Sequence, residues 1–160
     1  MNSEGANETL RSIFVLSLAM LVVLAGGCTM PRIMVLSDPL TAEEHLQLGI
    51  AYEQKGEFEN AIREYEAAEK KTPRAYYYLG NAYFQKREFG KAESYYKKAI
   101  KKEASNADAY NNLAWLYYVQ GKNLVEAEGL ALKAMELNPD KRDNYKDTLE
   151  RIRELKKTIE

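Results

Sequence analysis

One short pattern recurs three times and limits the fold more than any other feature of the chain. Leu48-Gly49, Leu79-Gly80 and Leu113-Ala114 are each followed by a tyrosine three residues after the small residue: Tyr52, Tyr83 and Tyr117. Further along, Ala61, Ala92 and Ala127 hold one equivalent position, Tyr65, Tyr96 and Ala131 a second, and Ala68, Ala99 and Ala134 a third. Pro73 and Pro139 close the first and third copies. Leu, Gly and Tyr at i, i+1 and i+4 share one helix face. A helix pair is too small to bury such a face alone, so neighbouring copies must stack. The small residue is expected to admit the second helix closely, with that helix's alanine as its contact. Gly56 and Gly121 fall in the turns, where a left-handed backbone costs glycine nothing.

The spacing predicts helices over 42–55, 59–71, 74–87, 91–103, 107–120, 124–137 and 141–158. Thr41-Ala-Glu-Glu44 reads as a capping box opening the first. In the last, Tyr145, Leu149, Ile152, Leu155 and Ile159 recur at helical spacing between charges, as in a helix that covers the end of a stack.

The pattern resembles the tetratricopeptide repeat, a 34-residue helix–turn–helix unit. The resemblance covers about 42–139, with a related helix to 160. It implies an all-α fold: a right-handed superhelical solenoid of three repeats, at 42–72, 73–106 and 107–139, plus a capping helix at 140–160. The first period falls three residues short of the family length. The third unit carries one extra residue around Gly121–Val125.

The N-terminus reads as a targeting segment. Ile13 to Gly27 is an uncharged, mostly apolar run. It is short for a membrane span, which needs roughly 20 residues, and suits a signal-peptide core. It ends in Leu24-Ala25-Gly26-Gly27-Cys28, which resembles the lipobox of bacterial lipoproteins. The chain has 1 Cys, and it stands where that motif requires a thiol for the lipid. Residues 1–27 are therefore expected to be a lipoprotein signal peptide, with Cys28 lipidated and 28–41 a tether. Two features depart from the pattern. Ala25 stands where leucine is usual, and Glu4 and Glu8 offset Arg11. An uncleaved anchor helix and an ordinary signal peptide cut elsewhere stay open as alternatives. In the tether, Pro31 and Pro39 discourage helix. The apolar run Ile33–Leu36 is left open between packing on the first repeat and skimming a bilayer. The expected location is the bacterial cell envelope, lipid-anchored and facing the periplasm, at the outer rather than the inner membrane.

Composition argues against catalysis. Lys+Arg number 23 against 24 Asp+Glu, for a net charge of −1, which disfavours a nucleic-acid binder. One Cys and 1 His leave no disulfide framework and no multi-Cys or His-based metal site. No Gly-rich phosphate loop occurs. His45 matches Tyr76 and Tyr110 in the repeat and is read as a packing residue. Carboxylate pairs such as Glu43-Glu44 belong to solvated helix faces. No enzyme activity, cofactor, metal or small-molecule substrate is expected. Lys91, Lys97, Lys98, Lys101 and Lys102 make an outer helix face basic, partly offset by Glu93 and Glu103.

The resemblance implies a concave groove lined by each first helix. Carried over position by position, the groove would present Leu46, Gln47, Ile50 and Gln54, then Tyr77, Asn81, Phe84 and Gln85, then Asn111, Asn112, Trp115, Tyr118 and Val119. The strongest candidates for peptide binding are Tyr77, Asn81, Phe84, Asn111, Trp115 and Tyr118. Some family members clamp a C-terminal carboxylate with Lys, Asn and Arg. Leu46, Ile50, Asp108 and Asn112 stand at those places here, so that reading is rejected. Tyr76 is expected to point inward, with Tyr77 and Tyr78 toward the groove. The competing placement puts Trp115 and the tyrosines inside the stack or under the capping helix. The expected function is a membrane-anchored scaffold that docks a peptide or helix of an envelope assembly of the pilus, secretion or outer-membrane biogenesis type. The alternative is an inner-membrane adaptor with an uncleaved anchor helix.

Overall fold

The computed structural model describes residues 38–159. The expectations for the signal peptide, Cys28 and the Ile33–Leu36 run lie outside the described residues. Among the described residues all regular structure is helical: α1 (Ala42–Gln54), α2 (Phe58–Glu69), α3 (Arg74–Gln85), α4 (Phe89–Lys102), α5 (Ala107–Gln120), α6 (Leu124–Leu137), a 3-10 turn (Pro139–Lys141) and α7 (Arg142–Ile159). None of these helices is long and apolar enough to cross a membrane.

The capping box opens α1: Glu44 N–H donates to Thr41 Oγ1 at 3.2 Å, and Thr41 N–H donates to Glu44 Oε2 at 2.7 Å. The turns inside the helix pairs share one design. The carbonyls of Tyr52, Tyr83 and Tyr117 accept N–H bonds from Glu57, Glu88 and Lys122 at 2.9, 2.9 and 3.1 Å. Each of these turns needs a left-handed residue. Gly56 and Gly121 supply it at φ +76 and +60, but in the second pair Arg87 holds φ +60. A side chain there costs roughly 1–2 kcal/mol. The extra residue of the third unit adds a second left-handed position, Asn123 at φ 52.

Consecutive helices pair as α1/α2, α3/α4 and α5/α6. The pairs stack through α2 on α3 and α4 on α5, and α1, α3 and α5 touch in succession. The α7 helix packs on α6 and α5, burying Tyr145, Leu149 and Ile152. Ile159, expected on that apolar face, is 66% exposed at the helix end.

The small residues work differently from the expectation. A Cβ on Gly49 would lie 2.4 Å from the Tyr65 ring, and one on Gly80 would lie 2.5 Å from the Tyr96 ring. The close partner is therefore the buried tyrosine of the second helix, not its alanine. In the third pair the positions are held by Ala114 and Ala131, both fully buried. Where the first helix gains a methyl, the second has lost its ring.

The packing assigned to His45 is one part of its role. The ring is buried, with Nδ1 2.7 Å from Glu64 Oε2 and Nε2 3.1 Å from Asp38 Oδ2. It ties the segment entering α1 to α2.

Candidate functional site

The face shared by α1, α3 and α5 carries two adjoining cavities. One, about 240 Å³, lies among Glu53, Asn81, Phe84, Gln85, Asn112 and Trp115, with Tyr96 of α4 at its floor. The other, about 380 Å³, lies among Ile50, Glu53, Gln54, Tyr77, Tyr78, Asn81 and Asp108. Glu53 and Asn81 line both. Spacings of three and four residues bring these positions to one helix face, and the stacking of first helices joins the faces.

Asn81 is the hub of the polar floor. Its Oδ1 accepts from Tyr96 Oη and from Asn112 Nδ2, each at 2.9 Å. The side chain thus ties α3 to α4 and α5, and this acceptor is already used by the fold. Burial pushes the Tyr77 hydroxyl up against the opposing pull of the Asn81 and Asn112 amides. Burial likewise raises Tyr96, so both remain hydroxyl donors at neutral pH.

The acidic groups differ in how they are held. Asp108 accepts from Lys141 Nζ at 2.8 Å and from Tyr145 Oη at 2.7 Å. Glu53 accepts from Tyr65 Oη at 2.7 Å. Burial raises the Glu53 carboxyl above its ordinary range, only partly opposed by the Tyr65 bond.

Of the six strongest candidates, Tyr77, Asn81, Phe84 and Trp115 line the cavities. Asn111 and Tyr118 line neither. They sit seven residues apart on α5, and Tyr118 stands on the side that meets α7. Tyr118 lies 4.9 Å, ring to ring, from Trp115 and adjoins Arg151. Asn111 Nδ2 reaches Asn112 Oδ1 at 3.5 Å, and its Oδ1 is buried without a partner. Trp115 divides between the two expected placements, with part in the groove and its ring 5.9 Å from the Arg151 guanidinium. Leu46, expected in the groove, is fully buried in the core.

Tyr77 and Tyr78 line the second cavity. Tyr78 also stacks on Tyr65 at 5.3 Å. Tyr76 turns to α4, stacking on Tyr95 at 6.4 Å. Glu53 was absent from the groove positions read from the sequence, although it holds the same repeat position as Phe84. That register was the available signal.

The basic outer face is largely engaged. Lys91 pairs with Glu88 at 2.7 Å and Lys97 with Glu93 at 2.8 Å. Lys98 sits 4.5 Å over the Tyr95 ring. Burial pushes the Tyr95 hydroxyl up to about 12.

The tetratricopeptide repeat model matches residues 46–102 and 79–141. The chain belongs to the tetratricopeptide repeat family. Solved structures agree on the fold. The first tetratricopeptide domain of human RPAP3 matches at TM-score 0.69 and 22% identity, over 76% of this chain and 96% of that one. The first such domain of Spaghetti, solved with the HSP90 peptide SRMEEVD, matches at 0.66 and 24%, over 75% and 96%. The Yersinia enterocolitica type III secretion chaperone SycD, in complex with a peptide of the translocator YopD, matches at 0.65 and 19%, over 74% and 94%. No curated protein matches the chain in sequence.

Proposed function

We propose that this protein is a non-catalytic docking scaffold, anchored by lipid at Cys28, that holds a peptide or helix of an envelope assembly in the α1/α3/α5 groove. The observation that carries this reading is the pair of adjoining cavities flanked by Tyr77, Phe84 and Trp115. Aromatic side chains bury large area at low entropic cost and dominate peptide interfaces. That similar folds have been solved with peptides bound supports the reading. The family is one of protein-interaction modules, and a partner that is a protein follows from it.

The test is crosslinking from native membranes with wild type, Phe84→Ala and a convex-face control. Lys98 covers Tyr95 and Tyr76, so Lys101→Ala is the cleaner control. A partner lost with Phe84→Ala and kept with Lys101→Ala supports the groove; the reverse pattern refutes it. The second reading, an inner-membrane adaptor, draws on Ala25 and on the weak positive charge before the apolar run. Intact mass of the native protein separates the two. Loss of residues 1–27 with added acyl mass marks the lipoprotein, and an unprocessed chain marks the anchor.

A further inference from the structure

Resting on the docking reading above, we propose that the groove takes a partner segment by a lysine or arginine side chain, with Glu53 as its counter-ion. Glu53 stands where the two cavities meet and lines both. Its Oε2 accepts from Tyr65 Oη at 2.7 Å, and among the described residues no cation pairs with it. Two other shielded carboxylates are each held by a pair of cations, whereas Glu69, with Oε2 buried and unpartnered, lies outside both cavities. Glu93, with 21% of its side chain exposed, holds Lys97 at 2.8 Å and Lys122 at 3.0 Å. Glu128, also 21% exposed, holds Arg153 at 2.7 Å and Lys156 at 2.8 Å. Asp108, the other acid of the groove, is engaged by Lys141 and Tyr145.

A half-buried carboxylate without a counter-ion is costly to keep. A cationic side chain entering the groove would supply both the missing charge and the missing donors, since charge-assisted hydrogen bonds are about twice as strong as neutral ones. The surroundings fit the rest of such a side chain. Its aliphatic stem would lie along Tyr78 and Phe84, in the way that long cationic chains bury their methylenes against apolar surface. No lysine or arginine lines either cavity, and Lys141, beside the second, is paired with Asp108. An acidic terminus would meet Glu53 and Asp108 instead. Charge complementarity therefore selects a basic-apolar segment.

The experiment pans the full chain, in detergent micelles, against a phage-displayed library of random dodecapeptides. Wild type should enrich peptides that carry Lys or Arg among apolar residues. Glu53→Gln keeps an acceptor for Tyr65 and should lose the basic preference while keeping the apolar one. In a selected peptide, replacing the basic residue by norleucine should weaken binding to wild type about tenfold, the scale of one hydrogen bond to a charged group, and binding to Glu53→Gln less than about twofold. Affinity of the basic peptide should also fall as pH drops through the raised Glu53 titration, and that of the norleucine peptide should not. Tyr65, Tyr77, Tyr96 and Asp108 also face this region. The three tyrosines are all shifted upward, away from this acidic window. Enriched peptides without Lys or Arg, or a basic preference unchanged in Glu53→Gln, overturn the proposal but leave docking intact. Peptides that bind equally to Phe84→Ala and Trp115→Ala, or no enrichment at all, overturn the docking reading with it. Displacement by a synthetic Thr29–Leu40 peptide, which contains Arg32, would assign the groove to the chain's own tether. Self-association that Glu53→Gln abolishes would assign it to a second copy.

Discussion

Replacing Gly80 by alanine adds one methyl group where the second helix pair has no room for it. The new Cβ falls 2.5 Å from both Cδ1 and Cε1 of Tyr96. That is about an ångström inside the ordinary carbon–carbon separation of roughly 3.5–4.0 Å. The ring has little freedom to retreat, being 2% exposed and tied through its hydroxyl to Asn81 at 2.9 Å. Either α3 and α4 separate or the ring leaves its rotamer, at about 1–3 kcal/mol. Alanine's better helix propensity recovers about 1 kcal/mol, so Gly80→Ala should be destabilised by roughly 0–2 kcal/mol. Leucine at the same place would be worse.

Tyr96→Ala makes the opposite defect, a cavity worth about 3–5 kcal/mol. Combining the two removes the clash, because the methyl then points into the space the ring has left. The double variant should therefore be more stable than the sum of the singles by about 1–3 kcal/mol. The third pair already carries Ala114 and Ala131 at these positions, which shows that the small–small combination packs. The assay is equilibrium urea unfolding of the four variants followed by far-UV circular dichroism. Gly129→Ala is the control. It lies in α6 with nothing within 4 Å of its added Cβ, and should stabilise by about 1 kcal/mol. Additive single effects, or a Gly80→Ala as benign as Gly129→Ala, would refute the reasoning.

Arg87→Gly should raise stability by about 1 kcal/mol, because a side chain at φ +60 is strained; a lower urea midpoint would contradict this. Burial works to raise Glu93, yet Lys97, Lys122 and Tyr117 outweigh it and hold the carboxyl at about 2. A carboxyl lowered in the folded state contributes stability that is present above its unfolded value of 4.5 and is lost as pH falls from there toward 2. Glu93→Gln should flatten the stability profile across that window, which urea titrations at several pH values will read. Cys28→Ser should leave an unprocessed precursor without acyl label; unchanged processing and lipid labelling would sink the assignment of the anchor.

Much of the fold could be read from the chain because a repeat states its packing three times over. Each predicted helix matches an observed one, and Thr41 with Glu44 marked the first start. The departures have physical sources. Gly49 and Gly80 were legible as small, but their partner ring comes from another helix, and both Tyr65 and Ala61 stood at plausible places. Arg87 hid a left-handed turn because no glycine announced it. Glu53 shares the register of Phe84, yet a charged residue there shows its meaning only once its neighbours prove to lack a cation. Asn111 and Tyr118 illustrate the limit of spacing arguments. They hold the repeat positions of Tyr77 and Phe84, but the third unit is followed by α7, which packs on α5, so Tyr118 meets Arg151 where its counterparts border a cavity.

Trp115 is where groove and capping helix meet, and its substitution has to be read with that in mind. One part of the ring borders the cavity with Phe84 and Asn112, while Tyr118 and Arg151 cover another. Trp115→Ala should weaken a groove ligand by about 2 kcal/mol or more if the ring is an anchor. It should also cost stability, since α7 loses a surface it packs on. Arg151→Met separates the two effects. It removes the cation beside the ring and leaves the cavity lining untouched. Titrating a bound peptide into both variants, each first shown to be folded by its urea curve, gives the answer. Binding should fall for Trp115→Ala and hold for Arg151→Met. Equal losses would mean that α7, by positioning α5, controls the groove. A Trp115→Ala chain that no longer folds would place the ring in the core and leave Phe84 and Tyr77 to carry the ligand.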